Sequence, residues 1–317
     1  MQMGADPVYD ELAALAGAPS VSVRASPDPV SGAQIRRWVE AFGDYNPIYV
    51  DERAALASGR PGIVAPPAML AAFTARGLRE LRNDGEPEGL SLVFKNNGMV
   101  SPAVSVAQSY EEEIRPGDLI KETMQIERVG DRKTTKLGDG YFLTLRSDFT
   151  NQAGSHLGTH RFTIFAFQPG AAAKPQLRDP ARMESQGASP ERPNSSLPPL
   201  AVQIDRLGII ACASACGDFT AGHYDPDIAR GFGFADIFTD SYTALGFAQR
   251  FVTDWAGPRA RIETIELRLG ASLFAGDTLQ INGEATARTE GLTRVDLRGL
   301  CKTGVHIEGQ VMLRGAV

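Results

Sequence analysis

Two α+β units, in each of which a curled antiparallel sheet wraps a central apolar helix, are what this 317-residue sequence predicts. Three observations carry that prediction. A segment occurs twice, as Phe42-Gly43-Asp44-Tyr45-Asn46-Pro47-Ile48-Tyr49-Val50-Asp51 and as Cys216-Gly217-Asp218-Phe219-Thr220-Ala221-Gly222-His223-Tyr224-Asp225. The order of apolar patterns around the two copies repeats as well, the mark of an internal duplication. Each half then closes in runs that alternate apolar and polar residues, the period of half-buried strands.

Residues 33–42 (AQIRRWVEAF) and 208–216 (GIIACASAC) read as helices leading into the Gly-Asp motif, and short helical stretches follow it at 52–58 and 226–230. After a Gly-rich turn come the two central helices, expected over 66–81 and 240–252 from apolar residues at helical spacing. The strands are expected at 105–114, 119–129, 141–151 and 160–167, and again at 261–269, 278–288, 293–302 and 306–313. Asp44 lies 74 residues before Asp118 whereas Asp218 lies 59 before Asp277, so the first half carries about fifteen extra residues, placed near 76–98. Seven prolines and little apolar periodicity mark 168–200 as a mobile linker. The resulting division is an N-terminal extension 1–29, a first unit 30–168, a linker 169–199 and a second unit 200–317.

Composition narrows the function classes. With 43% apolar and 22% charged residues the chain is an ordinary globular protein. A net charge of −6 and the lack of a Lys/Arg-rich run argue against nucleic acid as partner. Cys212, Cys216 and Cys301 are too few for a disulfide framework. The Cys212/Cys216 pair lacks the second Cys/His pair of a zinc site, so no metal is expected. Residues 1–29 do not read as a leader, and no apolar run approaches the roughly 20 residues that cross a bilayer. The expectation is a cytoplasmic protein with no membrane contact.

Gly-Asp-x-Asn-Pro-Ile-Tyr-x-Asp in the first half and Gly-Asp-x4-His-x-Asp in the second resemble the MaoC-like (R)-specific enoyl-CoA hydratases, which have the hotdog fold. Gly62-Ile63-Val64-Ala65-Pro66-Pro67-Ala68-Met69, Val252-Thr253-Asp254-Trp255-Ala256-Gly257-Pro258 and Leu267-Arg268-Leu269-Gly270 extend the similarity to the two subunits of bacterial steroid side-chain enoyl-CoA hydratases. The resemblance implies a double hotdog, with a non-catalytic first half fused to a catalytic second half. Its substrate would be a trans-2-enoyl-CoA carrying a bulky steroid side chain in steroid or cholesterol catabolism. CoA would be part of that substrate and no further cofactor is implied. A homodimer, and an aldolase or zinc-ribbon/OB protein, are the implied partners. Two departures stand out: Thr220-Ala221-Gly222 replaces the family's Asn-Pro, and no zinc-ribbon module is present in the sequence.

Hydration needs a group that takes a proton from water and returns one to carbon, and Asp218 with His223 supply a carboxylate and an imidazole that titrates near neutrality. Asp218 alone would read as a turn or cap aspartate; paired with His223 it reads as catalytic. Negative charge building on the thioester oxygen needs preorganised donors, and the backbone amides of Thr239, Asp240 and Ser241 at the start of the second central helix are the candidates. The first half has Tyr49 in place of the histidine and Pro66-Pro67, without N–H donors, at its helix start, so it is expected to be silent. Its displaced or shortened helix is expected to leave an apolar space for a bulky acyl group. A 3-hydroxyacyl-CoA dehydratase or hydratase acting on linear chains, a non-enzymatic acyl-CoA scaffold for an aldolase or thiolase, and a hotdog thioesterase remain as alternatives.

Overall fold

Residues 6–18, 22–78, 89–169, 195–287 and 291–315 are described in the computed structural model of the chain. The first half runs α1 (Pro7–Ala16), β1 (Ser22–Ala25), α2 (Gly32–Phe42), a 3-10 turn (Pro47–Tyr49), α3 (Glu52–Ala57), a 3-10 helix (Pro67–Thr74) and α4 (Gly89–Asn96). It closes with β2 (Ala103–Tyr110), β3 (Lys121–Val129), β4 (Lys133–Thr135), β5 (Gly138–Thr150) and β6 (His156–Phe167). The second half opens with β7 (Ser195–Ser196), β8 (Leu200–Gln203), α5 (Arg206–Cys216), a 3-10 turn (Ala221–His223), α6 (Pro226–Gly231) and α7 (Ser241–Ala256). It ends in β9 (Arg261–Leu269), β10 (Thr278–Ala287), β11 (Leu292–Cys301) and β12 (Gly304–Arg314). The two sheets expected from the sequence share an edge. They form one sheet of order β1-β3-β5-β6-β2-β9-β12-β11-β10-β7, with β4 on β5 and β8 on β10. The seam is the antiparallel pairing of β2 with β9, from Ser105 opposite Arg268 to Ser109 opposite Thr264.

The central helix of the second half is the axis of the molecule. In α7, eleven of sixteen residues are buried, among them Leu245, Phe247, Phe251 and Val252. Each large apolar side chain so removed from water contributes about 1.5–3 kcal/mol. The helices also lock the halves together: a Cβ at Gly246 would stand 2.3 Å from the ring of Phe42. Only glycine lets α2 approach α7 that closely. Trp38 and Phe42 stack at 4.2 Å behind this contact.

The corresponding helix of the first half is different. The apolar pattern predicts a helix over 66–81, whereas the structure has a 3-10 helix that ends at Thr74. Pro66 and Pro67 remove two backbone donors at its start, and Ala75 turns extended with φ −60° and ψ 143°. The extra residues expected near 76–98 appear in part as α4, while 79–88 lie outside the described residues. The N-terminal extension holds α1, which the repeat gave no reason to expect; its Leu12 is fully buried against Tyr141, Leu143 and α4 in a second, smaller apolar cluster. Of the expected linker, 170–194 lies outside the described residues. The end of the expected linker is not a linker: Ser195 and Ser196 pair with Ala285 and Glu284, so the second unit begins before residue 200.

Candidate active site

Both copies of the duplicated motif begin where a helix stops. Gly43 ends α2 at φ 63° and Gly217 ends α5 at φ 72°, left-handed positions at which glycine carries no penalty. A Cβ on Gly217 would also lie 2.5 Å from Ala75 of the first half. The chain then makes the same 3-10 turn in each copy. Asn46 and Thr220 precede it at φ/ψ of −58°/121° and −61°/123°, and Val50 and Tyr224 leave it at −136°/−14° and −140°/−14°. Replacing Asn-Pro by Thr220-Ala221-Gly222 therefore leaves the loop geometry unchanged. Asp51 and Asp225 follow as caps of α3 and α6, each accepting two backbone N–H groups.

This turn brings Asp218 and His223 together. The Thr220 amide donates to Asp218 Oδ1 at 2.9 Å, which fixes the carboxylate and leaves Oδ2 at 3.6 Å from His223 Nε2. His223 Nδ1 lies 2.7 Å from the carbonyl oxygen of Phe238. A carbonyl only accepts, so Nδ1 carries the proton and the neutral ring presents a lone pair at Nε2. The Phe238 ring meets the imidazole edge-on at 4.8 Å. His223 is buried and the Asp218 side chain is about 20% exposed.

The three amides proposed for the oxyanion divide. Thr239 N–H donates to the Leu273 carbonyl at 3.0 Å and is committed to holding the strand edge there. Asp240 is the N-cap and Ser241 the first residue of α7, so Ser241 N–H belongs to the donors a helix leaves unpaired. The sequence singled out Asp240 for its amide; the structure adds its side chain. Its carboxylate accepts from Thr243 N at 2.6 Å and Thr243 Oγ1 at 3.1 Å, and burial pushes its pKa up, with His223 opposing and Asp218 adding to the shift. The Asp240 carboxyl group therefore interacts electrostatically with both His223 and Asp218.

In the first half the same positions are closed. Asp44 is fully buried, and both oxygens are taken, by Gln249 Nε2 at 2.6 Å and Thr253 Oγ1 at 3.1 Å, each reaching across from α7. Burial raises its pKa to about 6. Gln249 also accepts the Ala68 amide at 2.8 Å, the first N–H after the two prolines. Tyr49 fills the histidine position, buried and with its phenol pushed up by desolvation. A cavity of about 500 Å3 opens on this side, bordered by Tyr49, Tyr110, Leu70 and Thr253, while the Asp44 carboxylate is not among its lining groups.

The interior next to the second half's loop is not apolar throughout, contrary to expectation. At the end of the short 3-10 helix, Thr74 Oγ1 donates to buried Glu122 at 2.7 Å, and Ser147 Oγ donates to the same carboxylate at 2.6 Å. His160 and Gln108 lie beside them, and the His160 ring stacks on Tyr242 of α7 at 5.6 Å. Cys212 and Cys216 are buried thiols whose pKa values burial raises. Among the described residues no helix is long and apolar enough to cross a membrane.

The chain is similar to known proteins in sequence and in fold. Residues 18–160 match a family model described as FAS1-like, dehydratase domain region. The chain is 37% identical over 151 residues to a probable enoyl-CoA hydratase alpha subunit of Thermomonospora curvata, covering 46% of this chain and 47% of that one. The chain thus spans about half the length of that relative. It is 43% identical over 117 residues to the 3-oxo-4,17-pregnadiene-20-carboxyl-CoA hydratase beta subunit of Mycobacterium tuberculosis, covering 37% of this chain and 91% of that one. Among solved structures, a MaoC-like dehydratase superposes with TM-score 0.73 at 17% identity over 96% of this chain and 100% of the other. A double-hotdog protein of Mycobacterium tuberculosis superposes with TM-score 0.63 at 13% identity, over 96% and 97%.

Proposed function

The chain belongs to the MaoC-like hydratase family of double-hotdog proteins, and from that premise we propose that it adds water across the double bond of a trans-2-enoyl-CoA to give a 3-hydroxyacyl-CoA. The observation that carries this reading is the pairing of Asp218 Oδ2 with His223 Nε2 at 3.6 Å, each held from behind by a backbone group. A water between the two atoms lies within reach of both. As its oxygen bonds to the β-carbon, its proton passes to the pair, and the pair returns a proton to the α-carbon, so the sum is addition of one water. The enolate charge that builds on the thioester oxygen meets the Ser241 amide at the positive end of α7. Elimination is the same path reversed, so the site serves a dehydratase equally. CoA enters as part of the substrate.

The second half is the catalytic one in this reading, and the first half supplies walls. The relative named for a pregnadiene-carboxyl-CoA, together with the curtailed first-half helix, supports a bulky steroid-type acyl group. Matches to a protein named as an alpha subunit and to one named as a beta subunit support a fusion of two such subunits in one chain. An aldolase or a zinc-ribbon/OB protein as partner, and a homodimer, follow only from the family resemblance.

The test is hydration of a panel of enoyl-CoA thioesters by the full chain. Replacing His223→Ala or Asp218→Asn is expected to lower turnover by about 10² to 10⁴ while the fold persists. Near-wild-type rates in either variant would overturn the assignment. Inactivity of the wild type toward every enoyl-CoA would favour the scaffold alternative.

A further inference from the structure

The first-half sheet has a polar strip on the face turned toward α7. His160 on β6 is directly opposite Ser147 on β5 and Gln108 on β2. Two residues before it, a Cβ at Gly158 would meet Leu70 of the short 3-10 helix at 2.9 Å. Four and six residues after it, Ile164 and Ala166 pack with α1 and α4 in the second apolar cluster. His160 thus sits between the part of the sheet covered by the 3-10 helix and the part covered by α1 and α4. Across from it is Tyr242, adjacent to Ser241 at the start of α7, its ring stacked at 5.6 Å and 26°.

A hydrogen-bond chain sets the imidazole's proton. Tyr110 O–H donates to Gln108 Oε1 at 2.6 Å, which orients the amide, and Gln108 Nε2 then donates to His160 Nδ1 at 3.0 Å. With Nδ1 accepting, the proton of the neutral ring is on Nε2. That Nε2–H is buried and has no hydrogen-bond partner among the described residues. A buried donor left unpaired is costly, and such exceptions mark strain, a functional role, or a place for an ordered water, ion or ligand oxygen. The surroundings also set the ligand's charge. Burial lowers the His160 pKa to about 4, so at neutral pH the ring offers a donor and no positive charge. Glu122, which accepts from Ser147 one strand away, is an acid and not a cationic partner for an anion.

We infer that His160 Nε2–H is a specificity-determining donor for an uncharged oxygen, a ketone or hydroxyl, carried on the ring system of the acyl group. This inference rests on the proposed hydration of a bulky enoyl-CoA and adds a polar contact to it. A site built around a hydrogen bond discriminates against analogues that lack the partner, because the buried donor then stays unpaired.

The experiment compares kcat/KM of the full-length protein on three kinds of substrate. These are crotonyl-CoA, a polycyclic enoyl-CoA without ring oxygens, and the same thioester bearing a ketone moved along the ring system. The wild type is expected to prefer at least one ketone isomer over the oxygen-free analogue by about tenfold to a hundredfold, mainly through KM. His160→Phe keeps a ring for Tyr242 and lacks the donor. It is expected to abolish that preference and to leave turnover of the oxygen-free analogue and crotonyl-CoA within about threefold. Gln108→Leu, which releases the tautomer, is expected to reduce the preference without removing activity. An unchanged preference in His160→Phe overturns the inference. So does a wild type that hydrates ketone and oxygen-free analogues equally well, and that result leaves the bulky-substrate reading intact. A wild type that hydrates crotonyl-CoA and neither polycyclic thioester removes both.

Discussion

Gln249 reaches from α7 into the first half and donates to Asp44 Oδ2 at 2.6 Å, while its own oxygen accepts the Ala68 amide at 2.8 Å. One side chain thereby occupies both the acid and the helix-start donor that would make the first half reactive. On the other side the residue standing against the Gly217-Asp218 corner is Ala75, a methyl group that donates nothing and leaves Asp218 Oδ2 to His223. The two halves thus differ in their central helices as well as at Tyr49 and His223.

Gln249→Leu should destabilise the protein by about 2–4 kcal/mol, since it strands a buried carboxylate oxygen and a buried amide together. Urea denaturation measures the loss. Because its hydrogen-bond partners are Asp44 and Ala68 of the first half, kcat per folded molecule should hold within about twofold.

Asp44 gives stability a pH dependence of predictable sign. Its carboxyl ionises near 3.8 in the unfolded chain and at about 6 in the folded one, so folding favours the protonated form. The associated stability is fully present below about pH 4 and is lost as pH rises through about 6, a change on the order of 3 kcal/mol. His160, with its pKa lowered to about 4, slopes the opposite way over a similar range. The quantity to measure is therefore the difference between wild type and Asp44→Asn, by denaturation at several pH values. The variant should gain on the wild type with rising pH; a constant difference would contradict the buried-acid assignment.

Ser241→Pro transplants the first half's feature into the second. Proline is tolerated at the first residue of a helix, and Asp240 before it already has φ −82° and ψ 174°, the extended backbone proline requires of its predecessor. The helix should persist and the amide be lost, so turnover should fall by about 10² to 10³ with little change in thermal midpoint. Full activity in a folded variant would exclude the Ser241 amide as the oxyanion donor.

Tyr49→Phe should leave turnover at saturating substrate within about twofold. A loss on the scale of His223→Ala would mean that the first half takes part in the chemistry.

Much of this was legible in the sequence because it is local. Alternation set by one buried face placed β9 at 261–269 as observed, and the duplicated Gly-Asp motif located the loop that joins Asp218 to His223. The central helix of the first half misled because an apolar pattern reports burial, not pitch, and 67–74 is buried in the tighter 3-10 form. The remaining features depend on partners distant in sequence. Gln249 meets Asp44 across 205 positions, and the Phe238 carbonyl that fixes the His223 tautomer is a backbone atom with no residue signature. Asp240 could be recognised as a cap, but only folding couples its carboxylate electrostatically to His223 and Asp218.

Because β2 and β9 close each other's open edges, each half is the other's protection against templated aggregation. A surplus of either half, made as a separate polypeptide, would expose a strand ready to pair with a second copy of itself. Joining the halves in one polypeptide fixes their ratio at one to one with every round of translation, so neither half can be made in excess when expression changes.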